Sequence, residues 1–153
     1  MGNIDDWLES HMKCTFFGHR DCPNNIKDYL ERIIVELITE NNVDTFYIGN
    51  QGNLDAMARV VLNRLKTAHP NIKIYTVLAY LRDADKCLDY GKTILPEGFE
   101  NVPLRFAIDF RNRWMVKQSD YVVSYVTRDF GGAHKFYQLA QKQNKTVINI
   151  AKQ

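Results

Sequence analysis

With 153 residues, of which 45% are hydrophobic and 25% charged, the chain has the size and composition of one soluble globular domain, which excludes a disordered or fibrous protein. The formal net charge of +2 falls well short of the basic balance typical of a dedicated nucleic-acid binder, and no stretch approaches the roughly 20 apolar residues of a membrane span. Three cysteines, none of them in a CxxC pair, argue against a disulfide framework or a zinc site and predict a cytoplasmic protein.

Residues 1–11, MGNIDDWLESH, differ from the rest of the chain. They contain three acidic residues and no basic one, lack an apolar period, and precede a second methionine, Met12, that leads directly into an apolar run. We expect them to be an added leader, disordered or extended, and the domain to comprise residues 12–153. Without this leader the net charge rises to +5, which is only mildly basic.

Beyond the leader, short apolar runs alternate with segments of helical periodicity. The predicted strands are residues 13–18, 45–49, 72–80, 120–126 and 146–150, and the predicted helices are residues 24–40, 53–68, 103–119 and 133–143. Residues 81–101 are rich in Asp, Lys, Pro and Gly and are predicted to form a loop with a short helix around 84–89. This alternation predicts an α/β fold: a doubly wound, mostly parallel five-stranded sheet in a single Rossmann-like domain.

Three of the predicted strands end in glycine-containing loops. These loops are Gly18-His19-Arg20-Asp21, Gly49-Asn50-Gln51-Gly52-Asn53 and Arg128-Asp129-Phe130-Gly131-Gly132. Parallel sheets bind ligands at the carboxyl ends of their strands, and glycine before a helix N-terminus lets a ligand approach free N–H groups that favour anions. A single glycine after a strand is often only a turn, but the three loops together favour a phosphate-bearing ligand. None of them is a Walker loop or a complete GxGxxG fingerprint.

The helix predicted from Pro103 carries arginines among its apolar positions. Arg111 falls within a stripe formed with Leu104, Ile108 and Met115, so its guanidinium requires an anionic partner, which is either a ligand or a structural ion-pair partner. Arg113 and Arg105 each lie four residues from Asp109 and predict an exposed ladder of ion pairs.

Other polar residues near the strand ends have two interpretations each. His19 is either an acid–base group or a hydrogen-bonding loop residue. Asp55 either binds a ribose hydroxyl or stabilises the N-terminus of its helix. Lys135 either pairs with phosphate or lies on the surface.

Four sequence blocks resemble motifs of the SLOG superfamily, which joins the DprA/Smf DNA-processing proteins to the cytokinin-activating LOG enzymes, and in particular of its small YpsA-like bacterial and phage members. The blocks are FFGHRDCP at 16–23, GNQGNLDAMA at 49–58, RNRWMVKQSD at 111–120 and Gly131-Gly132-Ala133, which resemble FTGHRP, G-x-x-G-x-D-x-x-A, RNxxMVDxSD and GGT. The resemblance implies a Rossmann-like fold and a nucleotide pocket. The implied and candidate ligand-binding residues are Gly18, His19, Arg20, Gly49, Asn50, Gly52, Asp55, Arg111, Asn112, Gly131, Gly132 and Ala133.

The chain departs from the motifs at three places. Lys117 replaces the usual Asp, and Ala133 replaces the usual Thr, which removes a hydroxyl from the expected pocket. LOG-type phosphoribohydrolases also use glutamates of a GGxGTxEE motif, whereas residues 135–138 here are Lys-Phe-Tyr-Gln. Because hydrolysis of a glycosidic bond needs an acid or base within reach, this activity is disfavoured and the catalytic residues stay unknown.

Three functions therefore compete. The first is a sensor or sequestering module that binds a nucleotide or nucleotide-derived ligand. The second is an N-glycoside (phosphoribo)hydrolase that uses Asp55, Asp21 or His19. The third, least favoured, is single-stranded DNA binding through aromatic residues near basic ones, namely Phe16, Phe17, Phe130 and Tyr137. We expect no metal and no cofactor, no membrane partner, and self-association, because SLOG relatives often self-associate.

Overall fold

The computed structural model describes residues 11–152, and in these residues a parallel sheet carries helices on both faces. The strands are β1 (Met12–Gly18), β2 (Val43–Ile48), β3 (Lys73–Val77), β4 (Lys92–Ile94), β5 (Tyr121–Tyr125) and β6 (Thr146–Asn149). The α-helices are α1 (Lys27–Glu40), α2 (Asn53–Ala68), α3 (Ala107–Gln118) and α4 (Gly132–Lys142). Residues 1–10 of the predicted leader lie outside the described residues. His11, also assigned to the leader, contacts Asp44 with 2.7 Å between its Nδ1 and the carboxylate Oδ2.

The order of the strands shows a doubly wound, Rossmann-like sheet. The order is β4-β3-β2-β1-β5-β6, and every neighbouring pair is parallel. The chain moves outward from β1 to β4 and then returns to the other side of β1 to form β5 and β6. The winding therefore changes direction between β1 and β5, which is where open α/β sheets have their ligand crevice.

The sheet has six strands within residues 11–152, so the prediction of five was wrong. The additional strand, β4, lies inside the segment predicted to be a loop and pairs Thr93 and Ile94 with Thr76 and Val77 of β3. A three-residue strand at the edge of a sheet is held by backbone hydrogen bonds and not by burial on two faces. It therefore needs no run of apolar residues, and the sequence pattern did not predict it. The short helix expected around 84–89 is a 3-10 helix over Asp85–Tyr90.

The two faces of the sheet bury separate clusters of side chains. Along β1, Cys14 and Phe16 pack towards α1 and α2, while Phe17 packs with residues of α3 and α4 on the opposite face. The predicted helical stripes are mostly buried, but Val60 is 53% exposed and Leu104 is 68% exposed. Leu104 precedes α3, in a 3-10 turn over Leu104–Phe106, so it does not continue the apolar stripe of the helix.

The end of β1 approaches α2 closely at Gly18. A Cβ at this position would lie 2.8 Å from Cδ2 and 2.9 Å from Cβ of Leu54, and real side chains do not tolerate such distances. Glycine therefore lets α2 begin directly against the carboxyl end of β1.

We expect the substitution Gly18→Ala to destabilise the protein, because Leu54 or the backbone of α2 must move. The free energy of unfolding should fall by about 1–3 kcal/mol, measured by urea denaturation. The matched control is Gly132→Ala, whose Cβ would meet no atom within 4 Å. Equal unfolding midpoints for the two variants would contradict the close packing of Gly18.

Candidate functional site

A cavity of about 350 Å³ lies beyond the carboxyl ends of β1 and β5, at the point where the winding of the sheet reverses. Its wall combines glycine loops and charged side chains with an apolar side. The lining residues are Phe16, Phe17, Gly18, His19, Arg20, Gln51, Gly52, Leu54, Asp55, Ile108, Arg111, Asn112, Met115, Arg128, Phe130, Gly131, Gly132, Ala133 and Phe136. A volume of this size accepts one small organic ligand.

Two helices begin at the wall of this cavity. Helix α2 follows Gly52, which has φ +86°, and α4 follows Gly131, which has φ +92°. Backbone with such positive φ favours glycine, since a Cβ is strained there. The first N–H groups of a helix have no partner inside the helix and, together with the helix dipole, favour a bound anion. The N-terminus of α4 has no acidic residue in its first turn and thus offers a position for negative charge, whereas at α2 the N–H of Asn53 donates to the carbonyl of Arg20 and Asp55 lies in the first turn.

Arg111 lies at the base of the cavity and is only 2% exposed. Its Nη1 donates to Oδ1 of Asn50 and to the carbonyl oxygen of Val77, each at 3.0 Å, and its Nε donates to Oδ1 of Asn112 at 2.8 Å. Its Nη2 has no hydrogen-bond partner among residues 11–152. The arginine within the apolar stripe therefore lines the crevice and keeps one nitrogen without a hydrogen-bond partner in the described residues.

Asp55 lines the same cavity from the first turn of α2. Its Oδ2 accepts a hydrogen bond from the N–H of Gln51 at 3.3 Å, and its carboxylate forms no ion pair within the described part of the chain. Burial raises the pKa of this carboxyl to about 6, although Arg111, the N–H of Gln51 and Arg59 act in the opposite direction. Asp55 therefore changes its charge close to neutral pH.

Gly49 allows Asp55 and Arg111 to lie side by side. A Cβ on Gly49 would be 2.9 Å from Oδ2 of Asp55 and 3.3 Å from Cζ and Nη1 of Arg111. The two charged groups thus rest against the same side of one glycine, and any larger residue would push them apart.

His19 connects the loop after β1 to the loop after β5. Its Nε2 accepts hydrogen bonds from the backbone N–H groups of Thr127 at 3.0 Å and Arg128 at 3.3 Å. Burial, with the charge of Arg128 as a further cause, lowers the pKa of His19. Because both N–H groups require a lone pair on Nε2, the ring is neutral with its proton on Nδ1. Of the two interpretations of His19, the structure shows the hydrogen-bonding loop residue.

The mouth of the cavity is basic and carries an exposed ring. Arg128 Nη2 lies 3.2 Å from Oδ1 of Asp21, and the Arg128 guanidinium is 5.5 Å from the centre of the Phe130 ring, which is 65% exposed. Arg20 is also exposed at this mouth. This rim attracts anions and presents a flat apolar surface to solvent.

The charged pairs on α3 differ in part from the predicted ladder. Arg113 Nε donates to Oδ2 of Asp109 at 2.6 Å, as expected. Lys135 of α4 also binds Asp109, so this lysine links two helices and does not line the cavity. Arg105 instead stacks on Phe106, with 4.8 Å between its Cζ and the ring centre.

Ten of the twelve predicted site residues line the cavity. They are Gly18, His19, Arg20, Gly52, Asp55, Arg111, Asn112, Gly131, Gly132 and Ala133. The other two lie behind it: Gly49 supports Asp55 and Arg111, and Asn50 accepts from Arg111 and donates to Asp83 at 3.4 Å. Among the aromatic candidates, Phe16 and Phe17 are 1% and 7% exposed and pack within the core, Tyr137 is half-buried, and Phe130 is 65% exposed.

Sequence reasoning missed Arg59, a buried arginine of α2. It donates from Nη1 to Oγ1 of Thr76 at 2.6 Å and from Nη2 to the carbonyl of Gly49 at 2.9 Å, and its guanidinium stacks 4.0 Å from the Tyr90 ring. It therefore fixes the loop that supports the cavity. The available signal was its position four residues after Asp55, a spacing that places opposite charges on one side of a helix.

Residues 11–152 contain neither a metal-binding cluster nor a membrane-spanning helix. No group of three or more His, Cys, Asp or Glu side chains is arranged to hold a metal ion there. None of the helices in this range is long and apolar enough to cross a membrane.

Comparison with known proteins gives matches at the level of structure. No protein-family model and no curated protein sequence matches this chain. The X-ray structure of DNA processing protein A from Streptococcus pneumoniae superposes with a TM-score of 0.64 at 20% identity, covering 95% of this chain and 52% of that one. The chain is similar in fold to DNA processing protein A.

A second structure of DNA processing protein A, from Helicobacter pylori, superposes with a TM-score of 0.62 at 19% identity, covering 93% of this chain and 66% of that one. For that protein a single-stranded DNA binding mode is described. DNA processing protein A belongs to the SLOG superfamily, so the fold implied by the sequence motifs is confirmed. The narrower likeness to YpsA-like proteins stays a prediction. The chain spans about half to two thirds of the length of these structures.

The substitution Asp55→Asn should change stability in a pH-dependent way. Since the folded pKa of about 6 lies above the ordinary 3.8, the stabilisation from the Asp55 proton is fully present below pH 3.8 and is lost as pH rises through about 6. The free energy of unfolding of the wild type, relative to this variant, should therefore fall by up to about 3 kcal/mol across this window, measured by urea denaturation at several pH values.

Asp109→Asn provides a control of opposite sign. Burial opposes the shift, but hydrogen bonds from Lys135 and Arg113 lower the pKa of Asp109, so its contribution is present above the ordinary value and is lost as pH falls through the lowered one. A flat difference between the wild type and Asp55→Asn from pH 4 to 7 would contradict the assignment for Asp55.

Proposed function

We propose that the cavity binds a nucleotide or nucleotide-derived ligand and that the protein acts as a sensor or sequestering module. The observation that carries this proposal is the convergence of two glycine-led helix N-termini and three arginines, Arg20, Arg111 and Arg128, on one cavity. Free N–H groups at a helix N-terminus and guanidinium groups both recognise phosphate. Among the described residues that line the cavity, Asp55 is the one with an acidic side chain.

The wall also offers an apolar surface for a base. Phe17, Leu54, Ile108 and Met115 line the cavity together with its charged groups. Small-molecule sites typically combine such an apolar wall with a few polar groups that fix the orientation of the ligand. In this arrangement the phosphate lies at the N-terminus of α4 beside Arg128, and the nucleoside extends towards the base of the cavity.

Binding without turnover is favoured over hydrolysis. The positions of the LOG glutamates are occupied by Lys135 and its neighbours, and His19 uses its Nε2 lone pair on backbone N–H groups. Asp21 lies at the surface and pairs with Arg128, so Asp55 is the one carboxyl among the three candidates that lines the cavity. A ligand recovered unchanged after long incubation supports the binding module, whereas release of a free base would support the hydrolase.

Two variants of Ala133 test the phosphate site. Ala133 is the second residue of α4 and lines the cavity, so Ala133→Asp places a negative charge where phosphate should bind, while Ala133→Asn has the same shape without the charge. Isothermal titration with nucleoside monophosphates should show binding to the wild type and a loss of about tenfold or more in Ala133→Asp relative to Ala133→Asn.

An acidic residue in the first turn of a helix favours folding, so Ala133→Asp should stay folded. Failure of the whole nucleotide panel to bind the wild type would remove the proposal. Equal affinities of the two variants would show that the phosphate does not bind at the N-terminus of α4.

The second candidate is single-stranded DNA binding, which one feature of the cavity mouth favours. Phe130 is 65% exposed beside the guanidinium of Arg128, an arrangement suited to stacking one base next to a backbone phosphate. The similarity in fold to DNA processing protein A from Helicobacter pylori, for which single-stranded DNA binding is described, is consistent with this candidate.

The substitution Phe130→Ala tests this second candidate. If oligo(dT) binds at the mouth, the variant should bind it about 5- to 100-fold more weakly, measured by fluorescence anisotropy. The control is Leu88→Ala, since Leu88 is 73% exposed but does not line the cavity. Affinity that does not fall with added salt, or equal losses in both variants, would argue against a DNA site.

A further inference from the structure

The base of the cavity offers a hydrogen-bond acceptor and a donor side by side. The Asp55 carboxylate has one hydrogen bond, from Gln51 to Oδ2, and Arg111 Nη2 has no partner among the described residues. Both groups rest against the same side of Gly49. Arg111 is buried and Asp55 is half-buried, and polar groups in such surroundings are normally paired, so these two groups are open to a ligand that supplies a donor and an acceptor together.

A phosphate does not fit this position well, because it lacks a donor when fully ionised and is repelled by the Asp55 carboxylate. At the N-terminus of α4, the carboxylate nearest Arg128 is that of Asp21, which pairs with Arg128 at the surface but does not line the cavity. A hydroxyl both donates and accepts, and a carboxylate that accepts from a ribose hydroxyl is the usual arrangement in nucleotide-binding α/β sheets. We therefore expect the phosphate of the ligand to lie at the mouth of the cavity and its sugar to lie at the base.

We propose that Asp55 and Arg111 bind the ribose hydroxyls of the ligand and make the site selective for ribonucleotides over 2′-deoxyribonucleotides. This inference rests on the proposed nucleotide-binding function and deepens it by naming the class of nucleotide. The ionised carboxylate accepts from the 2′-hydroxyl, and Arg111 donates to the oxygen of a neighbouring hydroxyl. A 2′-deoxyribonucleotide leaves the Asp55 acceptor unpaired inside the cavity.

The selectivity should also depend on pH. The groups that face Asp55 are Arg111 from α3, Arg59 from α2 and the N–H of Gln51, and the acidic Asp83 together with Tyr80 lies near Arg111. Arginine stays protonated throughout the accessible range, so Asp55 is the group whose charge changes. Because burial raises the pKa of Asp55 to about 6, a neutral carboxyl replaces the charged acceptor below this pH and binds the hydroxyl less strongly.

The experiment measures dissociation constants for the four ribonucleoside monophosphates and their 2′-deoxy counterparts, by isothermal titration at pH 7.5 and at pH 5. The wild type should prefer the ribonucleotide by about tenfold or more at pH 7.5, because the loss of one hydrogen bond to a charged group weakens binding by about this factor. The preference should decrease at pH 5, and Asp55→Asn should reduce it to less than about threefold at both pH values.

Asp83→Asn is the matched control. Asp83 is an acidic residue of the same network, bonded to Asn50, but it does not line the cavity, so its variant should keep the preference of the wild type. If Asp55→Asn fails to fold, the change in preference between pH 7.5 and pH 5 in the wild type tests the same claim. Equal affinities for ribo- and deoxyribonucleotides at both pH values would overturn the inference and leave the proposed function standing. Absence of nucleotide binding altogether would overturn both.

Discussion

A buried guanidinium joins the elements that meet at the carboxyl edge of the sheet. Arg111 of α3 is almost fully enclosed, and a charge in such surroundings requires several acceptors. It finds them in Asn50 after β2, in the carbonyl of Val77 at the end of β3, and in Asn112. The requirement to satisfy one side chain therefore fixes the loop that precedes α2 relative to α3, and with it the base of the cavity.

The same loop is held from its other side by a second buried guanidinium. Arg59 binds the carbonyl of Gly49 and Thr76 of β3, and it stacks on Tyr90 in the segment between β3 and β4. Arg59 thus bonds Gly49 while Arg111 packs against it, and no bulkier residue fits there. The carboxylate of Asp55 lies near both but forms an ion pair with neither, which leaves it available within the cavity.

The winding of the sheet explains the part of the cavity formed by the loops after β1 and β5. Between β1 and β5 the connecting helices lie on opposite faces, so the loops after these strands separate and leave a crevice. His19 bridges the two loops through backbone N–H groups, and the positive φ of Gly131 starts α4 at the crevice wall. Our proposals assign charge recognition to the mouth and hydroxyl recognition to the base of this one cavity.

The sequence by itself determined the parallel doubly wound architecture, because apolar strands alternating with amphipathic helices have few other ways to bury their surfaces. It also determined most of the cavity wall, since glycine loops after parallel strands must meet at one edge. The tertiary structure alone decided what depends on contacts between distant segments: the pairing of β4, the burial of Arg59, and the exposure of Phe130. It also decided that Arg111 has neutral acceptors in place of an ion pair, because the distances between residues 50, 55, 77 and 111 exist only once the chain has folded.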